Sequence, residues 1–140
     1  MFGRWRGNQP EKEQSDQEYH RALSSLYQQV QAVIKNVTEI SDNLASDYPK
    51  EALLRLCERF ERISREFTSY TMATNNIFYE IISRSSSRKK TAKAVASQAK
   101  DVAKLFEKYS KKPKSYIRVD SRDKIHKLLI MLENLASQCI

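Results

Sequence analysis

Apolar residues recur in alternating steps of four and three through two long stretches of this chain. The first stretch holds Tyr19, Leu23, Leu26, Val30, Val33, Val37, Ile40 and Leu44. The second holds Leu53, Leu56, Phe60, Ile63, Phe67, Tyr70, Thr74, Ile77 and Ile81, with Thr74 its one polar member. An α-helix turns every 3.6 residues, so this spacing lays each set along one stripe of a helix. Such stripes are the seams of coiled coils and helical bundles. They commit most of the large apolar residues to helix packing and leave few for a ligand pocket.

The punctuation fits two long helices. Ser15 with Glu18 three residues on is a capping box, and Asp16 suits a first turn electrostatically. The residue before a proline avoids the helical region, so Ser46-Asp47-Tyr48-Pro49 marks a stop. Pro49 then opens the next helix, where its missing donor costs nothing. Glu51–Arg55, Glu58–Arg62 and Glu61–Arg65 form acid-first pairs at i, i+4 on that helix. The three threonines and two asparagines of Thr68–Asn76 mark a place for a kink.

Beyond residue 83 the pattern resumes at shorter range. Residues 84–90 (RSSSRKK) read as a linker. A third stripe, Ala92, Val95, Ala99, Val102, Phe106 and Tyr109, ends at the lysine-rich, proline-containing stretch 110–114. Tyr116–Val119 reads as a short extended connection. Asp120 or Ser121 then caps a last stripe of Ile125, Leu128, Leu132, Leu135 and Cys139. The expected fold is all-α: a long antiparallel hairpin with two shorter helices packed on it as an irregular four-helix bundle. A flexible arm is expected over 1–14 and one bundle domain over 15–140, with helices at about 15–47, 49–83, 91–109 and 121–139.

Several function classes fall away. Gly3 and Gly7 are the only glycines. Phosphate-cradling loops need glycine for close backbone approach, so a P-loop or dinucleotide fold is disfavoured. No run approaches the roughly 20 apolar residues of a membrane span, and no signal peptide opens the chain. The two cysteines, Cys57 and Cys139, fit a reducing compartment. A cytoplasmic protein is expected, with a peripheral membrane association compatible with its charge.

His20 and His126 are the only histidines, and neither has acidic, Cys or His partners at metal-ligand spacing. Arg122 and His126 resemble the Arg–His pair of helical HEPN ribonucleases, with fewer intervening residues. The expectation is a non-enzyme with no cofactor, no metal and no small-molecule substrate.

Charge supplies the functional lead. Residues 84–114 hold 11 basic and 2 acidic side chains, while residues 1–83 hold 10 basic and 12 acidic ones. Within that segment Arg88, Lys89, Lys90, Lys93, Lys100, Lys104, Lys108 and Lys111 are expected to contact an anionic partner. A membrane or an acidic protein ranks above nucleic acid. Phe106 and Tyr109, the aromatics of the segment, lie on its apolar stripe, and a face that is nearly all lysine suits nonspecific charge attraction better than base reading.

Two further surfaces follow. Helices of unequal length would leave Val37, Ile40, Leu44, Leu53, Leu56 and Phe60 uncovered, a strip for self-association or a protein partner. Phe2, Arg4, Trp5 and Arg6 mix aromatic and basic character and suit a membrane anchor. Phe2-Gly3-Arg4 with Pro10-Glu11 resembles the start of some ESCRT-III subunits, which implies membrane contact ahead of a helical hairpin. The likeness covers about ten residues, and those hairpins are strongly basic where this one is slightly acidic.

Overall fold

The computed structural model describes the backbone of residues 2–45, 47–112 and 117–140, and the side chains of 16–45, 47–112 and 119–140. The described residues form five helices: α1 (Phe2–Asp42), α2 (Lys50–Met72), α3 (Tyr79–Ser83), α4 (Ser86–Lys111) and α5 (Ile117–Ser137). The long four form an up-down-up-down bundle, as the periodicity predicts. α2 packs closest to α4, α4 packs on α5, and α5 packs on α1. Gln29 closes the ring by donating 2.8 Å to Glu66 across α1 and α2.

Most of both hairpin stripes becomes core, but Thr74 and Ile77 fall in the break after α2 and are exposed, Ile77 at 78%. Leu26, Val30, Val37, Phe60 and Phe67 are fully buried, and so are Val95, Phe106, Ile125 and Leu128 from the other two helices. Phe60 and Phe106 stack with ring centroids 5.8 Å apart. The α1–α2 turn is pinned by Tyr48, whose hydroxyl accepts from Ala45 N at 3.0 Å and donates to Asn43 O at 3.2 Å.

The helix bounds differ from the sequence expectation at several places, and α1 ends at Asp42 rather than near 47. The backbone of α1 is helical from Phe2, so the arm expected over 1–14 belongs to α1 and Ser15 lies inside a helix. The second helix stops at Met72. Asn76 accepts from Phe78 N at 2.9 Å, an Asx turn that competes with the helical ladder, and α3 follows as a separate short helix. Residues 86–90 of the expected linker are instead the start of α4, where Ser85 accepts from Arg88 N at 3.2 Å as an N-cap. Finally, α5 starts at Ile117, so Ile117–Val119 is helical rather than extended; Tyr116 lies outside the described residues.

The early end of α2 at Met72, rather than near 83, removes the exposed apolar strip. The second helix no longer outreaches its partner, and the C-terminal half of α4 covers its start, with Phe106 on Phe60. At 26 residues α4 spans roughly 39 Å, slightly longer than α2 with its 23 residues. α4 and α5 therefore reach the α1–α2 turn. Val37, Ile40, Leu44, Leu53 and Phe60 are buried within the chain, and Leu56 is partly buried against the same core. The strip expected as a protein interface is internal packing, and self-association through it loses its structural basis.

Candidate functional site: a cationic groove between α2 and α4

Small residues let α2 and α4 approach closely. Ala92, Ala96, Ala99 and Ala103 are buried on α4, and Ser64 of α2 donates 2.8 Å to the Ala96 carbonyl. Bulk is missing along one side of this contact. A groove of about 910 Å³ results, floored by Ser64, Thr71, Ala96 and Ala103. Arg65, Lys93, Lys100 and Lys104 stand on its walls, and Met72 lies at one mouth, 71% exposed.

Among the described residues, no carboxylate lies within ion-pair distance of these four cations. The reason is local. Glu61, the expected i, i+4 partner of Arg65, instead accepts from the Cys57 thiol at 3.6 Å. Glu107 is held by Lys111 at 3.3 Å. Of the three acid-first pairs expected on α2, only Glu58–Arg62 closes, at 3.9 Å on the surface.

Sequence reasoning located part of this site. Lys93, Lys100 and Lys104 line the groove together. Lys90 and Lys108 are exposed outside it, and Lys89 is half-buried. Lys111 is exposed but paired with Glu107. Arg88 belongs to the interior, contrary to expectation. Its guanidinium donates to Ile81 O at 3.0 and 3.3 Å, to Gln138 O at 3.2 Å and to Tyr19 OH at 2.6 Å. It is 8% exposed and ties α1, α3 and the end of α5 to α4. One signal pointed that way: Arg88 precedes Ala92 by four residues and so extends the stripe of α4. Arg65 and the floor of the groove were missed, because they arise from the pairing of two helices. Phe2, Arg4, Trp5 and Arg6 lie in the backbone of α1, and their side chains fall outside the described residues.

Cys57, Glu61 and Glu107 converge at the end of the groove away from Met72, with their ligating atoms within 4.8 Å of one another. Sequence spacing gave no hint of this trio, because Glu107 comes from another helix. Burial first, then the Glu61, Glu107 and Glu58 carboxylates, push the Cys57 thiol up to about 11. The thiol therefore stays protonated at neutral pH, and a neutral buried thiol is a poor nucleophile. Burial pushes Cys139 up as well. Tyr109 is raised to about 12 by burial and by Asp120, to which its hydroxyl donates.

A second crevice of about 460 Å³ lies between α1 and α2, lined by Glu39, Ile40, Tyr48, Arg55, Leu56 and Arg59. It mixes both charges with apolar side chains. No helix among the described residues is long and apolar enough to cross a membrane. Comparison with family models, curated proteins and solved structures finds no match.

Proposed function

We propose that this chain is a non-catalytic helical adaptor whose α2–α4 groove receives an acidic segment of a protein partner. One observation carries the reading: Arg65, Lys93, Lys100 and Lys104 surround a concave site without a single ion pair among the described residues. Four unpaired cations in one place make a positive potential that attracts an anion and speeds its encounter.

Shape narrows the anion. A bilayer is flat and engages a convex or planar basic face, whereas these cations flank a trough with a small-residue floor. The trough is walled by helices, a form that suits a rod-like ligand. No aromatic side chain lines it for base stacking, and lysine predominates on its walls. The core arrangement supports the non-catalytic part of the reading. Neither histidine lines any of the grooves described, and the Cys57 thiol in its acidic setting is poorly suited to nucleophilic work. Two buried free thiols suit a reducing, cytoplasmic setting.

The test is a binding panel at two salt concentrations: an acidic amphipathic peptide, anionic liposomes and a short duplex. The peptide should bind best, and more weakly at high salt because exposed charges are screened. Lys93→Glu, Lys100→Glu and Lys104→Glu together should weaken it roughly a hundredfold, from three lost pairs plus the added repulsion. The helical circular dichroism should not change, since all three lysines are exposed. Liposome or duplex binding that exceeds peptide binding would overturn the choice of partner. Peptide binding that survives the triple reversal would show that the groove is not the site.

A further inference from the structure

We infer that the groove accepts its acidic helix in one direction, with the partner helix running parallel to α2. This rests on the acidic-partner reading and adds the partner's polarity to it.

The groove changes sign along its length. The Ser64–Ala96 hydrogen bond and the Phe60–Phe106 stack set α2 and α4 antiparallel. Helical side chains lean toward the N-terminus of their own helix. The lysines of α4 therefore lean toward the Met72 mouth, and Glu61 of α2 leans the other way. The contacts agree, because Glu61 reaches the Cys57 thiol one turn earlier on α2. Glu107 joins them there, and the three groups gather within 4.8 Å. At the Met72 end the lining is Thr68, Thr71, Met72 and Lys93, with no carboxylate, and Arg65 leans from there toward the middle of the groove.

A helix has matching asymmetry. Its N-terminus carries partial positive charge and its C-terminus partial negative charge. The N-terminal turn of a bound helix therefore belongs at Glu61 and Glu107, where a basic residue is also favoured. Its acidic side chains and C-terminal turn belong at Arg65, Lys93 and Lys100. α2 runs from Lys50 to Met72, so it passes the acidic end first, and the partner shares that direction. Lys93 to Lys104 covers about 16 Å, some three helical turns. Met72 stands at the partner's C-terminal end and offers an adaptable apolar contact there.

Two end-blocked peptides of about 20 residues, long enough to hold helix, test this. Their acidic, alanine-rich repeats are identical; one carries a lysine pair at the N-terminus and the other at the C-terminus. Fluorescence anisotropy with the full chain should give at least fivefold tighter binding for the N-terminal-lysine peptide. A nitroxide on its N-terminal turn should broaden the amides of Glu61 and Glu107 and spare Thr71 and Met72. Glu61→Gln with Glu107→Gln should erase the difference between the peptides. Equal affinities, or broadening at Thr71 and Met72, overturn the direction and leave the groove as an acidic-partner site. Failure of both peptides to bind at low salt overturns the acidic-partner reading and the direction with it.

Discussion

Replacing Arg88 separates structural from surface basic residues in the same helix. Arg88→Ala removes a buried guanidinium and strands the Ile81 and Gln138 carbonyls and the Tyr19 hydroxyl. Hydrogen bonds to a charged group contribute about 1.5–3 kcal/mol each, and a buried polar group left without a partner costs about 1–3 kcal/mol. These figures overlap, because relieving the guanidinium of its own burial offsets part of the loss. A net destabilisation of about 4 kcal/mol follows, which lowers the melting temperature by roughly 12 °C for a chain of this size. Urea unfolding followed by helical circular dichroism measures it. Lys90→Ala, two residues away and exposed, should stay within about 0.5 kcal/mol of the parent. Arg88→Lys should be intermediate, since an ammonium cannot span three elements as a planar fork does. An Arg88→Ala loss below about 1 kcal/mol would refute the buried-hub assignment, because unpaired carbonyls alone exceed it.

Other outcomes follow from the same structure. Ile40→Glu buries a carboxylate in the core and should unfold the bundle, seen as lost helical signal, rather than merely release a partner on gel filtration. The Cys57 and Tyr109 pKa values are raised by folding, so the folded state holds their protons more tightly than the unfolded one. Stability should be intact below about pH 9 and fall as the pH climbs toward 11 and 12. A thermal melt series should show this, with a shallower decline in Cys57→Ala. Cys57 should react slowly with a thiol reagent at pH 8, and Glu61→Gln, which removes one raising charge, should speed it. Ser64→Leu should force α2 and α4 apart and fill the groove floor, reducing both melting temperature and peptide affinity.

The architecture was legible in the sequence because bundle packing writes itself as a 4-3 period. Every residue from Leu26 to Leu44 on the first stripe is buried as its spacing requires. The start of α4 was hidden, because Ser85-Ser86-Ser87 looks like a linker and the first stripe position after it is a charged residue. Arg88 sits there because the nearby Ile81 carbonyl and two acceptors far away in sequence, Gln138 O and the Tyr19 hydroxyl, meet it, and no local pattern encodes the distant two. The uncovered strip around Ile40 and Leu56 came from another boundary: the second helix, expected to run to 83, stops at Met72 and is matched in length by α4. The groove was half legible. Lys93, Lys100 and Lys104 share a helical face, but Arg65 joins them only through the antiparallel register of α2 and α4. That Glu61 meets Cys57 rather than Arg65 could not be read from i, i+4 spacing.

The central claim is that an acidic partner lies in the trough rather than on the outer lysines. Amide chemical-shift mapping with an unlabelled acidic helical peptide at low salt addresses it most directly. The account predicts perturbations grouped at Ser64, Arg65, Thr68, Ala96, Ser97 and Lys100, with little change along Arg55 and Arg59 in the crevice beside α1. Perturbations confined to Lys90 and Lys108, or spread evenly over every exposed lysine and arginine, would contradict it.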